Sequence, residues 1–220
     1  MNYLLNPYNY DLSDAGSIPN LLLQHAFLVG VSMLISLIIA IPVSILIARR
    51  RRLYTVVITF TDLLYTIPGI ALLGVLITIP GLGLSFQTAI IPLILYTQLV
   101  LIRNTVAGLN SIDPLLIETA HAIGMDAWQV LFRVTLPLAL PVIVAGIRIA
   151  TVTTIGIASL ASLVGEGGLG DLIFKNITTQ DLDAVLAGGI LMALFAVVAD
   201  VVLLAVQSFL SRGRATAAVA

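Results

Sequence analysis

One stretch of this chain constrains its fold more than any other: residues 28–48 form 21 consecutive positions without a charged side chain. A helix needs about 20 apolar residues to cross a bilayer core, because each residue adds about 1.5 Å. The chain of 220 residues is 60% hydrophobic and 10% charged, with a mean hydropathy of +1.13. Soluble domains carry about 25% charged residues, so the composition indicates an all-α membrane protein.

Composition also excludes several classes of function. Cysteine is absent, which excludes disulfides, cysteine-based metal sites and thiol catalysis. The net charge of −1, without a basic face carrying interleaved aromatic residues, gives no indication of nucleic-acid binding.

Four further apolar segments follow the first, so we expect about five transmembrane helices in one transmembrane domain, residues 28–210. The segments are residues 53–79, 86–109, 137–163 and 184–210. Pro68 and Gly69 predict a broken or kinked second span, since proline removes a helix hydrogen bond. We expect residues 1–27 to be an extracytoplasmic segment with a short interfacial helix at 18–27. Residues 164–184 should form a polar loop, and 211–220 a cytoplasmic tail.

The placement of arginine and lysine predicts the orientation. With the N-terminus outside and the C-terminus inside, only Lys175 falls on the outer side. The inner side then receives Arg49, Arg50, Arg51, Arg52, Arg103, Arg133, Arg212 and Arg214. An excess of positive residues on the cytoplasmic side therefore favours this orientation.

Residues 111–136 have the pattern of a helical hairpin between the third and fourth spans. Asp113 and Pro114 suit the start of one helix, and Gly124 suits its end. Asp126 with Gln129 resembles the capping box that opens a second helix. Because such a polar hairpin cannot lie in hydrocarbon, we expect it to project into the cytoplasm or to dock on another protein.

The hairpin resembles the EAA loop of ABC-importer permeases, whose signature is E-A-A, three residues, G, nine residues, I-x-L-P. Glu118-Thr119-Ala120 is followed at the same spacings by Gly124 and by Val134-Thr135-Leu136-Pro137. Thr119 and Val134 depart from the pattern but are similar in size or shape. An ordinary amphipathic surface loop is the alternative interpretation.

Other segments are similar to the glycine betaine/carnitine/choline (osmoprotectant) branch of these permeases. They are Thr66–Leu73, Arg103-Asn104-Thr105 with Gly108-Leu109, Leu136–Arg148 and Gly167–Asp171. The resemblance covers about residues 20–210. Methionine and other amino-acid importers with a similar five-helix core are the nearest alternatives.

The resemblance implies a type I ABC-importer permease fold in a bacterial or archaeal cytoplasmic (inner) membrane. It also implies alternating access, with a binding protein outside, two ATPase subunits inside, and a second permease copy or related subunit. The coupling residues would be Glu118, Thr119, Ala120, Gly124, Met125, Asp126, Leu136 and Pro137. The chain contains no G-x-x-x-x-G-K-[ST] motif, so it is not expected to be an enzyme, and ATP and magnesium are expected on the partner ATPase.

Two other sequence patterns resemble known functional motifs, but their context argues against those functions. Residues 165–170 satisfy G-x-G-x-x-G, but they follow a membrane span rather than a strand, which favours a flexible turn over dinucleotide binding. His25 and His121 are far apart and lack a clustered acidic partner, so neither a metal site nor a hydrolytic triad is expected.

Three charged residues lie inside predicted spans: Asp62, Arg148 and Asp200. Each costs about 2.5–3.5 kcal/mol at mid-helix and therefore calls for a partner or a water-filled cavity. Counting along the helices puts all three about 11–15 Å from the cytoplasmic ends. We therefore predict one buried cluster of the three, either fixing helix packing or gating the pathway.

Aromatic side chains could contact a quaternary ammonium solute by cation–π interaction. The candidate pathway residues are Tyr65, Pro68, Phe86 and Tyr96. Two other classes of function remain open. An ion-coupled secondary transporter could use Asp62 and Asp200 as proton or sodium sites, although it would have no need of the hairpin. A non-transporting membrane scaffold is the third alternative.

Overall fold

The computed structural model describes residues 2–215, with side chains from 3 to 210, and within that range it consists of helices and connecting turns. The helices are α1 (Asn2–Leu5), α2 (Ile18–Ile47), α3 (Arg51–Thr66), α4 (Gly69–Ile77), α5 (Phe86–Asn110), α6 (Pro114–Ala122), α7 (Ala127–Val130), α8 (Leu136–Ala158), α9 (Gly170–Thr179) and α10 (Leu182–Ala215). Short 3₁₀ turns cover Pro7–Tyr10 and Ser159–Val164, and a π turn over Leu131–Thr135 joins α7 to α8.

Among residues 2–215, four helical stretches are long and apolar enough to cross a membrane, and α3 with α4 makes a fifth span if that bent pair is taken as one. The four are Ile18–Ile47, Phe86–Asn110, Ala127–Val164 and Leu182–Leu210. The expected all-helical polytopic fold with about five spans is confirmed.

Helix α5 lies at the centre of the bundle and packs against α2, α3 and α8. The main core cluster combines small and large apolar side chains, so the helices approach closely. It includes Val29, Met33 and Ala40 of α2, Leu93, Leu101 and Val106 of α5, and Ala150, Ile155 and Ala158 of α8. Helix α10 packs on α8 and α9 and exposes valines and leucines along its outer side, as a lipid-facing helix does.

The break predicted in the second span lies at Ile67–Pro68, where α3 and α4 meet at 86°. Ile67 has extended backbone angles, and Pro68 has no N–H to continue the helix. The hydroxyl of Tyr96 on α5 donates to the free carbonyl of Ile67 at 2.7 Å, which satisfies a backbone acceptor exposed by the break.

Two expectations about the ends of the spans are wrong. Residues 18–27 are not a separate interfacial helix, because α2 runs unbroken from Ile18 to Ile47 with Pro19 in its first turn. The segment 164–184 is not simply a polar loop, because it contains α9. This helix buries Leu172 against Leu21, and thereby contributes to the core. Of the predicted tail, residues 211–215 continue α10, and 216–220 lie outside the described residues.

Candidate functional site

The hairpin between α5 and α8 is held by the caps that its sequence predicts. The Asp113 carboxylate accepts a hydrogen bond from the Leu115 N–H at 2.9 Å and caps α6. Gly124 ends the helix at φ +89°, a left-handed conformation that strongly favours glycine. Asp126 and Gln129 form a reciprocal capping box, with bonds of 2.8 and 3.1 Å to each other's backbone N–H.

The second arm of the hairpin does not end in a helix of its own. Helix α7 has only four residues and continues through the π turn into α8, so this arm is the end of the fourth span itself. Val130 and Thr135 are buried on its inner side. Leu136 and Pro137 are half-buried inside this continuous helical rod. A displacement of the hairpin would therefore pass directly into α8.

The outer surface of the hairpin is apolar as well as polar. Trp128 is 70% exposed and Ile123 72% exposed, and the Trp128 ring stacks on Phe132 with centroids 5.7 Å apart. Exposed apolar side chains of this kind are typical of interaction sites. Among the predicted coupling residues, Glu118, Thr119, Gly124 and Asp126 are exposed, Met125 is half-buried, and Ala120 is buried.

A cavity of about 460 Å³ separates the hairpin from the ends of α2 and α5. Its lining includes Leu46, Arg49, Asn110, His121, Trp128 and Leu131. The imidazole Nδ1 of His121 lies 3.1 Å from the Met125 carbonyl, which places this histidine within the turn of the hairpin.

Two ion pairs replace the predicted cluster of three charges. Arg148 on α8 donates to both carboxylate oxygens of Asp200 on α10 at 2.9 Å. Arg148 also donates to the Gln207 amide oxygen at 2.8 Å, and Gln207 donates to the Pro141 carbonyl at 3.0 Å. This network joins α8 to α10 along the half of the bundle that carries the hairpin.

Asp62 does not belong to that network, and the predicted three-residue cluster is wrong in this respect. Both of its carboxylate oxygens accept hydrogen bonds at 2.7 Å from Arg103 on α5. The two side chains are 42% and 49% exposed. Equal depth along the span does not make Asp62 and Arg148 neighbours, because Asp62 is carried on the other side of α5.

Three of the four candidate pathway residues lie together. Tyr65, Pro68 and Tyr96 line a cavity of about 250 Å³ at the helix break, with the two tyrosine rings edge to face at 5.6 Å. Phe86 lies elsewhere, where its ring is 5.7 Å from that of Phe27. The structure therefore separates Phe86 from the other three residues.

A contact that sequence reasoning missed joins α2 to the glycine-rich segment. Gln24 accepts a hydrogen bond from Gly168 N–H at 3.0 Å, and the Nδ1 of buried His25 accepts one from Leu169 N–H at 3.3 Å. The other nitrogen of His25 lies 3.0 Å from the Ile155 carbonyl. Gly168 has φ +78°, and this segment forms a tight turn held by α2, as expected of a turn rather than a dinucleotide site.

Comparison with known proteins shows the family to which this chain belongs. The family described as binding-protein-dependent transport system inner membrane component matches residues 40–213. The chain belongs to this family. It is therefore an inner-membrane permease component of a transport system that works with a binding protein. No group of three or more His, Cys, Asp or Glu residues suited to a metal ion occurs within the described part of the chain.

Relatives within the family resemble the chain over most of its length. The osmoprotectant import permease protein OsmW of Salmonella typhimurium is 39% identical over 89% of this chain and 93% of its own. The glycine betaine/carnitine/choline transport system permease protein OpuCD of Bacillus subtilis is 45% identical over 82% of this chain and 78% of its own. The carnitine transport permease protein OpuCD of Listeria monocytogenes is 42% identical over 82% and 80%.

The fold is also that of a solved ABC importer. An inward-facing conformation of the MetNI methionine ABC transporter matches with a TM-score of 0.76 and 24% identity, over 85% of this chain and 93% of that chain. The predicted type I ABC-importer permease fold is confirmed.

Proposed function

We propose that this chain is the transmembrane permease subunit of an ATP-driven importer for a small osmoprotectant such as glycine betaine, choline or carnitine. The hairpin is the observation that supports this most strongly. It is capped at both helices, it exposes Trp128 and Ile123, and it continues directly into the fourth span. The names of the relatives support the class of solute.

In the proposed mechanism, ATPase subunits on the cytoplasmic side each bind one hairpin. ATP and magnesium belong to those subunits, and this chain supplies no catalytic residue. Closure of the ATPases would move Glu118–Asp126 and, through the π turn, α8. A binding protein would deliver the solute from outside, and a second permease copy or a related subunit would complete the path.

The proposed location is the cytoplasmic membrane of a bacterium or archaeon, with the N-terminus outside. The arginines at the hairpin end of the bundle, Arg49 to Arg52, support this orientation. Residues 1–27 would then begin outside, 28–210 would form the permease domain with 111–136 as its coupling loop, and 211–220 would lie inside.

The experiment that tests the function is uptake into proteoliposomes that contain the permease, its ATPase and its binding protein. Radiolabelled glycine betaine, choline, carnitine and methionine would be compared with ATP enclosed and without it. ATP-dependent uptake of one of the first three supports the proposal. Uptake of methionine alone would favour an amino-acid importer, and uptake driven by a proton gradient without ATP would contradict the proposal.

The geometry disfavours the ion-coupled alternative. Asp62 and Asp200 each accept two hydrogen bonds from an arginine side chain. A carboxylate engaged in this way has fewer free lone pairs for a proton or a sodium ion. An ion-coupled carrier would also have no need of the exposed hairpin, because it works without an ATPase subunit.

A further inference from the structure

Helix α3 has three distinct faces. One face, carrying Tyr54, Val57 and Ile58, packs on the core cluster. A second is apolar and exposed, with Leu53, Val56, Phe60 and Leu63 at intervals of three or four residues. The third is the threonine face, which we define as Thr55, Thr59, Asp62 and Thr66. Its members recur at intervals of four, three and four, so they line one side of a helix with 3.6 residues per turn.

The threonine face is accessible rather than packed. Thr55, Thr59 and Thr66 are exposed, and the Asp62 side chain is 42% exposed. At about 100° per residue, this face points roughly 110° away from the apolar exposed face. The polar and the apolar exposed faces of α3 therefore meet two different environments within the membrane span.

The neighbouring helix continues the polar surface. Arg103, Ala107 and Asn110 are the exposed residues of α5 in its second half, again four and three residues apart. Arg103 is paired with Asp62, so the ion pair bridges the two helices at this surface. Counting along the helices puts Arg103 about 10 Å and Asp62 about 16 Å from the ends that lie beside the hairpin.

Exposing an ion pair to lipid at this depth is energetically costly, and nearly half of each of these two side chains is exposed. Charged residues within a span face the protein interior or a water-filled cavity, because hydrocarbon leaves them unsolvated. The same surface leads to the cavity at the helix break, where Tyr65 lies three residues from Asp62 and Tyr96 seven residues from Arg103. A continuous polar and aromatic strip therefore runs between α3 and α5.

We propose that the threonine face and the Asp62–Arg103 pair form a wall of the water-filled solute path, and that a zwitterionic solute passes this pair of opposite charges. The proposal rests on the proposed function and extends it to named residues. A zwitterion with a carboxylate and a quaternary ammonium would meet one complementary charge for each end, and the two tyrosines just beyond it suit the ammonium.

Cysteine accessibility tests the wall without reference to any solute. The chain has no natural cysteine, so each single substitution introduces the only thiol of this chain, and label attached to this chain reports on that position alone. Thr59→Cys and Thr66→Cys would be compared with Phe60→Cys and Leu63→Cys on the apolar face of the same helix. The assembled transporter in membrane vesicles would be treated with a charged methanethiosulfonate reagent.

We expect the two threonine-face cysteines to react at least about tenfold faster, because only a hydrated thiol ionises to the reactive thiolate. Equal rates on both faces, or faster reaction at Phe60→Cys and Leu63→Cys, would overturn the proposal. Because labelling needs no transport, this failure is distinguishable from failure of the proposed function, which is an absence of ATP-dependent uptake by the unsubstituted transporter.

Charge selectivity tests the role of the pair. Arg103→Gln leaves a net negative wall, and Asp62→Asn leaves a net positive one. We expect Arg103→Gln to raise choline uptake relative to glycine betaine, and Asp62→Asn to lower it, each by about fivefold for one unit charge at close range in water. A pair that only holds the helices together would change both solutes alike in both variants, and that result would contradict a place in the solute path.

Discussion

Arg148 and Asp200 face each other across α8 and α10 as a two-pronged ion pair, with the Nε and Nη2 atoms each 2.9 Å from a carboxylate oxygen. The pair is assisted by Gln207, which also binds the Pro141 carbonyl of α8. Helix α10 also contacts the core through apolar side chains such as Met192 and Phe195, and it shows a largely exposed outer surface. We infer that the pair fixes the register of the last span.

Replacing one member of this ion pair should lower the stability of the protein more than replacing both. Arg148→Met or Asp200→Leu alone leaves a charge without its partner in the membrane region, so we expect a lower unfolding temperature in detergent. The double variant removes both charges and should recover most of the loss. Thermal unfolding followed by size-exclusion chromatography measures this, and a double variant as unstable as both single effects combined would contradict it.

Replacement of Gly124 tests the hairpin as a lever. Its φ of +89° makes Gly124→Val unfavourable by about 1–2 kcal/mol, although a Cβ would meet nothing within 4 Å. We expect the altered turn to uncouple ATP hydrolysis from uptake while the protein still inserts and assembles. Gly189→Val, at an exposed helical glycine of α10 with equally open space, is the matched control. Normal coupling in the Gly124 variant would count against the lever.

Exposed Trp128 should contribute to the contact with the ATPase. Trp128→Ala should weaken co-purification of the ATPase by about tenfold or more, as loss of an aromatic anchor costs at least about 2 kcal/mol at an interface. Phe209→Ala, at an aromatic residue near the end of α10 that is also largely exposed, is the control. Equal retention of the ATPase by the two variants would show that the hairpin surface is not the docking site.

The hydroxyl of Tyr96 should stabilise the broken second span. Tyr96→Phe keeps the ring but leaves the Ile67 carbonyl without its 2.7 Å donor, at a cost of about 0.5–1.5 kcal/mol for one partly exposed hydrogen bond. We expect a lower unfolding temperature for Tyr96→Phe. Tyr65→Phe, in which the ring is retained and no Ile67 bond is lost, should change it less. A larger fall in unfolding temperature for Tyr65→Phe than for Tyr96→Phe would contradict this role of the Tyr96 hydroxyl.

The hairpin could be predicted from sequence because its determinants are local. Asp113, Gly124 and the Asp126–Gln129 box each act within a few residues, and all appear in the structure as predicted. The break at Pro68 was predictable for the same reason. The partner of Asp62 was not, because depth along a span does not tell on which side of a neighbouring helix a residue lies. Arg103 and Arg148 lie at similar depths, and only the packing of α3 on α5 selects Arg103.

The threonine face was readable in the sequence as four polar positions at helical spacing, but helix period alone does not separate a water-facing side from a packed one. Helix α9 was missed because the polar residues around it dominate the composition of 164–184. Its apolar side becomes evident only where Leu172 meets Leu21.

The central claim, that a motor protein binds the hairpin from inside the cell, can be tested by one cross-linking measurement. Glu118→Cys supplies a single thiol on the exposed side of α6 in a chain without other cysteines. In the assembled transporter in oriented vesicles, a thiol-directed photo-cross-linker at this position should attach to the ATPase and be quenched only by reagents on the cytoplasmic side. Attachment to the binding protein, or quenching only from outside, would contradict the account.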